Sequence, residues 1–98
     1  MFNLQNYEIS ADNFLSEFYN QMGIKLKRMI EINSKKVSTN ELSELYESKN
    51  KILDALDCMI HITPNKDMQT LFHTLAINVL SPNEKYWRQT LDFCNRMK

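Results

Sequence analysis

Between Val37 and Pro64 the apolar residues fall at helical intervals. Leu42, Leu45, Ile52, Leu56 and Met59 keep a spacing of three and four, and Tyr46, Leu53 and Ile60 widen that stripe along one side. The pattern predicts one helix over residues 38–62. Its start is marked by Ser38 and Glu41, the S-x-x-E of a capping box, with Val37 and Leu42 at the two positions of a hydrophobic staple. Its end is set by Pro64, which lacks an N–H and clashes with a preceding helical turn. Such a helix is roughly 34 Å long at 1.5 Å per residue. In a chain of 98 residues it is the wall against which the rest must pack.

The same pattern, followed along the chain, gives three more helices. Ser10 reads as an N-cap, Ile9 and Phe14 as a second staple, and Asp12 as a first-turn carboxylate favoured by the helix dipole. Phe14, Leu15, Phe18, Met22, Leu26, Met29 and Ile30 then line one face of a helix over residues 10–33. Phe2, Leu4, Tyr7 and Ile9 lack helical spacing, so residues 1–9 are expected to form an extended arm across the bundle. The short connector at 34–37 forces the first two helices antiparallel. Thr63 as cap and Pro64 in the first turn predict a third helix over 64–80, with Met68, Leu71, Phe72, Leu75, Ala76 and Val79 inward. Ser81, Pro82 and Glu84 open a fourth over 82–97. No loop separates the last two, which predicts a corner between them. The fold class is therefore all-α: one domain, a four-helix antiparallel bundle with an N-terminal arm.

Composition narrows the function. The apolar share of 43% suits a globular domain, and twelve basic against twelve acidic residues give no net charge. That balance argues against a dedicated nucleic-acid or membrane binder. No apolar run is long enough to span a bilayer, and the N-terminus lacks the basic and apolar regions of a signal peptide. A cytoplasmic setting follows, with free thiols at Cys58 and Cys94. Abundant Asn, Lys and Ile, with A/T-rich codons, point to a bacterium or phage.

Candidate chemistry is sparse. Cys58 and His61 have metal-ligand spacing, and His73 and Cys94 would complete a Cys₂His₂ set. An antiparallel third helix, however, puts His73 opposite Asp54, a turn or more from His61, so no metal or other cofactor is expected. His61 instead suits a helix C-terminus, four residues after Asp57. The segment His73-Thr-Leu-Ala-Ile resembles the H-x-L-K-G of histidine phosphotransfer domains, themselves helical bundles. Ala76 and Ile77 replace the Lys and Gly of that motif, which leaves His73 as a core or solvent-edge residue. Glu41, Glu44 and Glu47 begin the second helix, and Lys25, Lys27, Arg28, Lys35 and Lys36 end the first, so the hairpin should let them neutralise each other. No phosphate loop or catalytic constellation occurs, and the chain is not expected to be an enzyme.

Two binding readings remain. The first is a protein–protein module of inhibitor, immunity, anti-defence or adaptor type, binding another protein or a second copy of itself. Its surface would be Tyr86, Trp87, Arg88, Phe93 and Met97 on the fourth helix, with Lys49, a polar break in the apolar seam. Trp87, Leu91 and Cys94 form one stripe of that helix and Tyr86, Phe93 and Met97 another, and only one can face so small a core. The alternative is a helix-turn-helix over residues 14–32, with the lone Gly23 at the turn and Lys25, Lys27 and Arg28 toward DNA.

Overall fold

The computed structural model of the chain describes residues 4–35 and 38–98, with side chains from residue 14 onward. Four α-helices account for nearly all of it: α1 (Leu4–Asn33), α2 (Thr39–Ile62), α3 (Lys66–Leu80) and α4 (Glu84–Met97). They form an antiparallel bundle in which each helix packs on its neighbours in the order α1, α2, α3, α4 and back to α1. Among the described residues no helix is long and apolar enough to cross a membrane.

The first helix starts earlier than expected. Residues 4–9, read as an extended arm, are helical, and Ser10 lies inside α1 rather than capping it. The segment holds no Gly or Pro to break a helix, and the weak apolar spacing there was no barrier to helix formation. The staple expected between Ile9 and Phe14 and the one between Val37 and Leu42 each rest on a residue outside the described side chains.

The start of α2 is as expected: Ser38 Oγ accepts a hydrogen bond from the Glu41 N–H at 3.2 Å. The starts of α3 and α4 are corrected. Their N-caps are Asn65 and Asn83, each accepting from backbone N–H groups of the following turn, so Pro64 and Pro82 lie just outside the helices. Both junctions share the order hydroxyl, Pro, Asn. Proline biases the residue before it to extended backbone, and Asn is at least as good an N-cap as Ser or Thr. Thr63 accordingly closes α2, its carbonyl accepting from Gln69 Nε2 at 2.6 Å.

Register explains the packing. Arg28 meets Glu44, and Met22 and Lys25 share a groove with Ile52 and Ala55, so α2 runs antiparallel to α1. Lys49 reaches the Leu80 carbonyl while Gln69 reaches that of Thr63, so α3 runs antiparallel to the second half of α2. Asn33 bonds Glu84 and Gly23 lies beside Cys94, so α4 runs back along the last half of α1. The two short helices are thus staggered. α3 covers one half of the α1–α2 hairpin and α4 the other, and residues 81–83 carry the chain from one level to the next. The chain reverses there instead of turning a corner, and α3 and α4 share the smallest interface in the bundle.

Leu26, Met29, Ile32, Ile52, Leu56, Phe72, Val79 and Cys94 form the centre of the core, and burial on this scale is the main source of stability. Phe14, expected to face inward, is 54% exposed, because α4 ends before it reaches that level of α1. Tyr19, left off the expected face, is buried instead. Its ring packs edge-on against Phe93 at 5.7 Å, and Phe18 packs edge-on against Phe72 at 5.9 Å. The Tyr19 hydroxyl has no hydrogen-bond partner, and burial, then Cys94, raises its pKa.

Gly23 is helical and makes no turn. A Cβ added there would lie 3.6 Å from Leu91 Cδ1 and 3.7 Å from Cys94 Cβ, ordinary contact distances. Alanine therefore fits, and its helix propensity exceeds that of glycine by about 1 kcal/mol. Gly23→Ala is expected to raise the melting temperature by roughly 4–8 °C, whereas Gly23→Leu should lower it by overpacking against α4. Thermal unfolding followed by circular dichroism checks both. Tyr19→Phe removes a hydroxyl that burial has stripped of water without giving it a partner. Urea unfolding should show the variant equal to the parent or more stable, by up to about 1 kcal/mol; a clear loss would mean that the hydroxyl is satisfied in solution.

Candidate binding surfaces on the fourth helix

α4 buries Trp87, Thr90 and Cys94. Trp87 is 2% exposed, and its Nε1–H donates to the Ser81 carbonyl at 2.8 Å. Lys49 Nζ donates to the neighbouring Leu80 carbonyl at 3.1 Å and sits 5.8 Å from the centre of the Trp87 ring. Carbonyls at a helix C-terminus have no partner within the helix. Here one α2 cation and one α4 indole satisfy two in succession, and the ammonium gains the face of the ring. Trp87, expected on a partner surface, thus belongs to the core, since its bulk is needed beneath the junction of α3 and α4. Lys49 fixes register within the chain, tying α2 to the end of α3.

The other expected surface residues divide. Phe93 is half-buried on Tyr19, while Tyr86, Arg88 and Met97 are exposed. Arg88 lies on the flank of α4 that lines a groove with α1, and its Nε donates to Glu84 at 2.8 Å. That bond, followed by one from Asn33, holds the Glu84 carboxyl below its ordinary pKa. Tyr86, Phe93 and Met97 lie on the opposite flank, toward the α3 position of the ring. α3 ends level with Lys49, and only residues 81–83 continue past it toward the start of α4. The same shortfall affects α2. Leu53 and Ile60 of its side stripe are partly buried by packing, but Leu42 and Tyr46, two turns and one turn above the end of α3, are 41% and 55% exposed. Leu42, Tyr46 and Leu80 thus stay exposed in a notch at the end of α3, and Tyr86 is exposed on α4. Sequence periodicity marked Leu42 and Tyr46 as inward-facing; only the lengths of the facing helices reveal that nothing reaches them.

The three basic residues expected to face DNA do not share one face. Lys25 lines the α1–α2 groove beside Lys51, Lys27 lines the α1–α4 groove, and Arg28 is bound to acids. Its Nε and Nη2 donate to the two Glu44 oxygens at 2.5 and 3.1 Å, and Nη1 lies 3.5 Å from Glu31. These bonds, Glu44 first, raise the Arg28 pKa, and the Arg28 bond lowers that of Glu44. Lys35 likewise pairs with Glu41 at 3.2 Å, so the expected neutralisation across the hairpin is present; Lys36 lies outside the described residues. Since Gly23 also forms no turn, α1 is not a helix-turn-helix.

Nucleophiles and metal ligands are dispersed. Cys58 is exposed on α2, whereas Cys94 is buried on α4. His61 Nδ1 lies 2.8 Å from the Asp57 carbonyl, and His73 is exposed on α3. Among the described residues no three His, Cys, Asp or Glu side chains gather in a metal-binding group. Ile77, which stands where the phosphotransfer motif has Gly, is 66% exposed one turn beyond His73 and occupies the surface that an approaching partner would need. Burial pushes the Cys94 thiol up to about 12, and thiolates are the reactive form. Titration of the native protein with Ellman's reagent at neutral pH should therefore release one equivalent promptly, from Cys58, and the second only in denaturant.

Comparison with protein-family models, with curated protein sequences and with solved structures gives no match to this chain.

Proposed function

We propose that the protein is a non-enzymatic protein–protein interaction module of inhibitor, immunity, anti-defence or adaptor type. The supporting observation is the notch where α3 stops short. Leu42 and Tyr46 continue a core-facing stripe into solvent, and Tyr86 is exposed on α4. Two tyrosines give large contact area at low entropic cost and are enriched at binding hot spots. The occupant that fits is an apolar helix of another protein, laid where further turns of α3 would run. A second copy of the chain is the other possible occupant. We also propose a cytoplasmic site of action and, from the residue usage, a bacterial or phage source.

Tyr46→Glu with Tyr86→Glu tests the surface. Both side chains are exposed, so the melting temperature should move little. Affinity capture from the native host, with mass spectrometry, is expected to recover one stoichiometric protein with the parent and to lose it with the double variant. Sedimentation velocity distinguishes the second copy: a dimer that the variant abolishes would make this protein its own partner. Recovery of the same protein by both forms, with both monomeric, would place the binding surface elsewhere.

A further inference from the structure

The flank of α4 opposite the notch forms a different kind of surface. It borders a groove of about 630 Å³ between α1 and α4, within the size range of ligand sites. Ile24 and Ile30 of α1 and Leu91 of α4 supply its apolar lining, and Lys27, Arg88 and Lys98 supply its cations. Ile24 is 55% exposed there, and Gly23 adds no side chain to fill the space. The α4 lining runs from Arg88 to Lys98, about 15 Å or three helical turns.

Three of the four charged side chains that line the groove are cations. In the groove, neither Lys27 nor Lys98 lies within ion-pair distance of one among the described residues, and Arg88 uses only Nε on Glu84. The one acid lining the groove, Glu31, has Arg28 at 3.5 Å. Ile24 and Leu91, interleaved with these cations along two antiparallel helices, match an amphipathic helix bearing Asp or Glu beside its apolar stripe. A phosphate backbone would leave Ile24 and Leu91 without complement.

We infer that the α1–α4 groove binds an acidic amphipathic helical segment of a partner protein. Its apolar residues, spaced by three and four, would rest on Ile24 and Leu91, and its carboxylates would meet Lys27, Arg88 and Lys98. This surface lies on the other flank of α4 from the notch and does not depend on it. With both occupied, the chain would bridge two partners.

Selection of a random peptide library displayed on phage against the intact protein tests the inference. Enriched peptides should carry Asp or Glu flanking apolar residues at helical spacing. Their affinity, read by fluorescence anisotropy, should fall roughly tenfold or more for Lys27→Glu with Lys98→Glu, and should weaken as salt is raised. Ile24→Ala should weaken the same peptides without changing the salt dependence. Tyr46→Glu with Tyr86→Glu should leave them bound, which separates this site from the notch. Enrichment of basic or purely apolar peptides, or equal binding to the charge-reversed variant, would overturn the inference. So would an empty selection accompanied by retention of duplex DNA that requires Lys27.

Discussion

A helix in water must bury its apolar stripe, and the stripe on α2 is longer than either short helix that could cover it. α2 has 24 residues, whereas α3 has 15 and α4 has 14. α1 supplies one full-length wall. The other side of the hairpin is divided between two short helices placed at different heights. From that division follow the stepped junction at 81–83, the small interface between α3 and α4, the exposed Leu42 and Tyr46, and the exposed Phe14 on the half of α1 that α4 leaves.

Polar contacts hold the places where this stagger leaves backbone unsupported. Lys49 and Trp87 satisfy the carbonyls of Leu80 and Ser81 at the step. Asn33 and Glu84 join the end of α1 to the start of α4. At the turn of the hairpin, Arg28 with Glu44 and Lys35 with Glu41 close the ends of α1 and α2. Both carboxyls are held below their ordinary pKa by these cations. Their stabilisation is therefore present above the ordinary carboxylate pKa and fades as pH falls through the lowered values. All four side chains touch water, so salt screens the pairs and their share of the total is small.

Local signals in the sequence were legible wherever one residue decides the outcome. Ser38 names the start of α2, and the stripes of α2 and α3 give Ile52, Leu56, Phe72 and Val79 as core. The hydroxyl-Pro-Asn junctions were misread by two residues, because Ser and Thr are themselves good caps and only the hydrogen bonds reveal that Asn takes the role. Tyr19 and Phe14 exchange their expected environments for a reason no single-helix pattern contains: the height at which α4 ends. The candidate site suffers from the same limit. Tyr86 was identifiable as the exposed member of a split stripe, but Leu42 and Tyr46 looked like core. The α1–α4 groove joins residues about 70 positions apart and has no signature within either helix alone.

The pairing of α4 with α1 also brings together distant parts of the sequence. The contacts between α1 and α2, and between α2 and α3, link neighbours in sequence and close short loops. α4 docks mainly on α1, and Gly23 must find Cys94 across nearly the whole chain. Closing so large a loop carries an entropic cost that the small α3 interface cannot offset alone. That cost is offset by the α1–α4 interface, the largest in the bundle, and the indole buried there, Trp87, lets tryptophan fluorescence report directly whether α4 is docked.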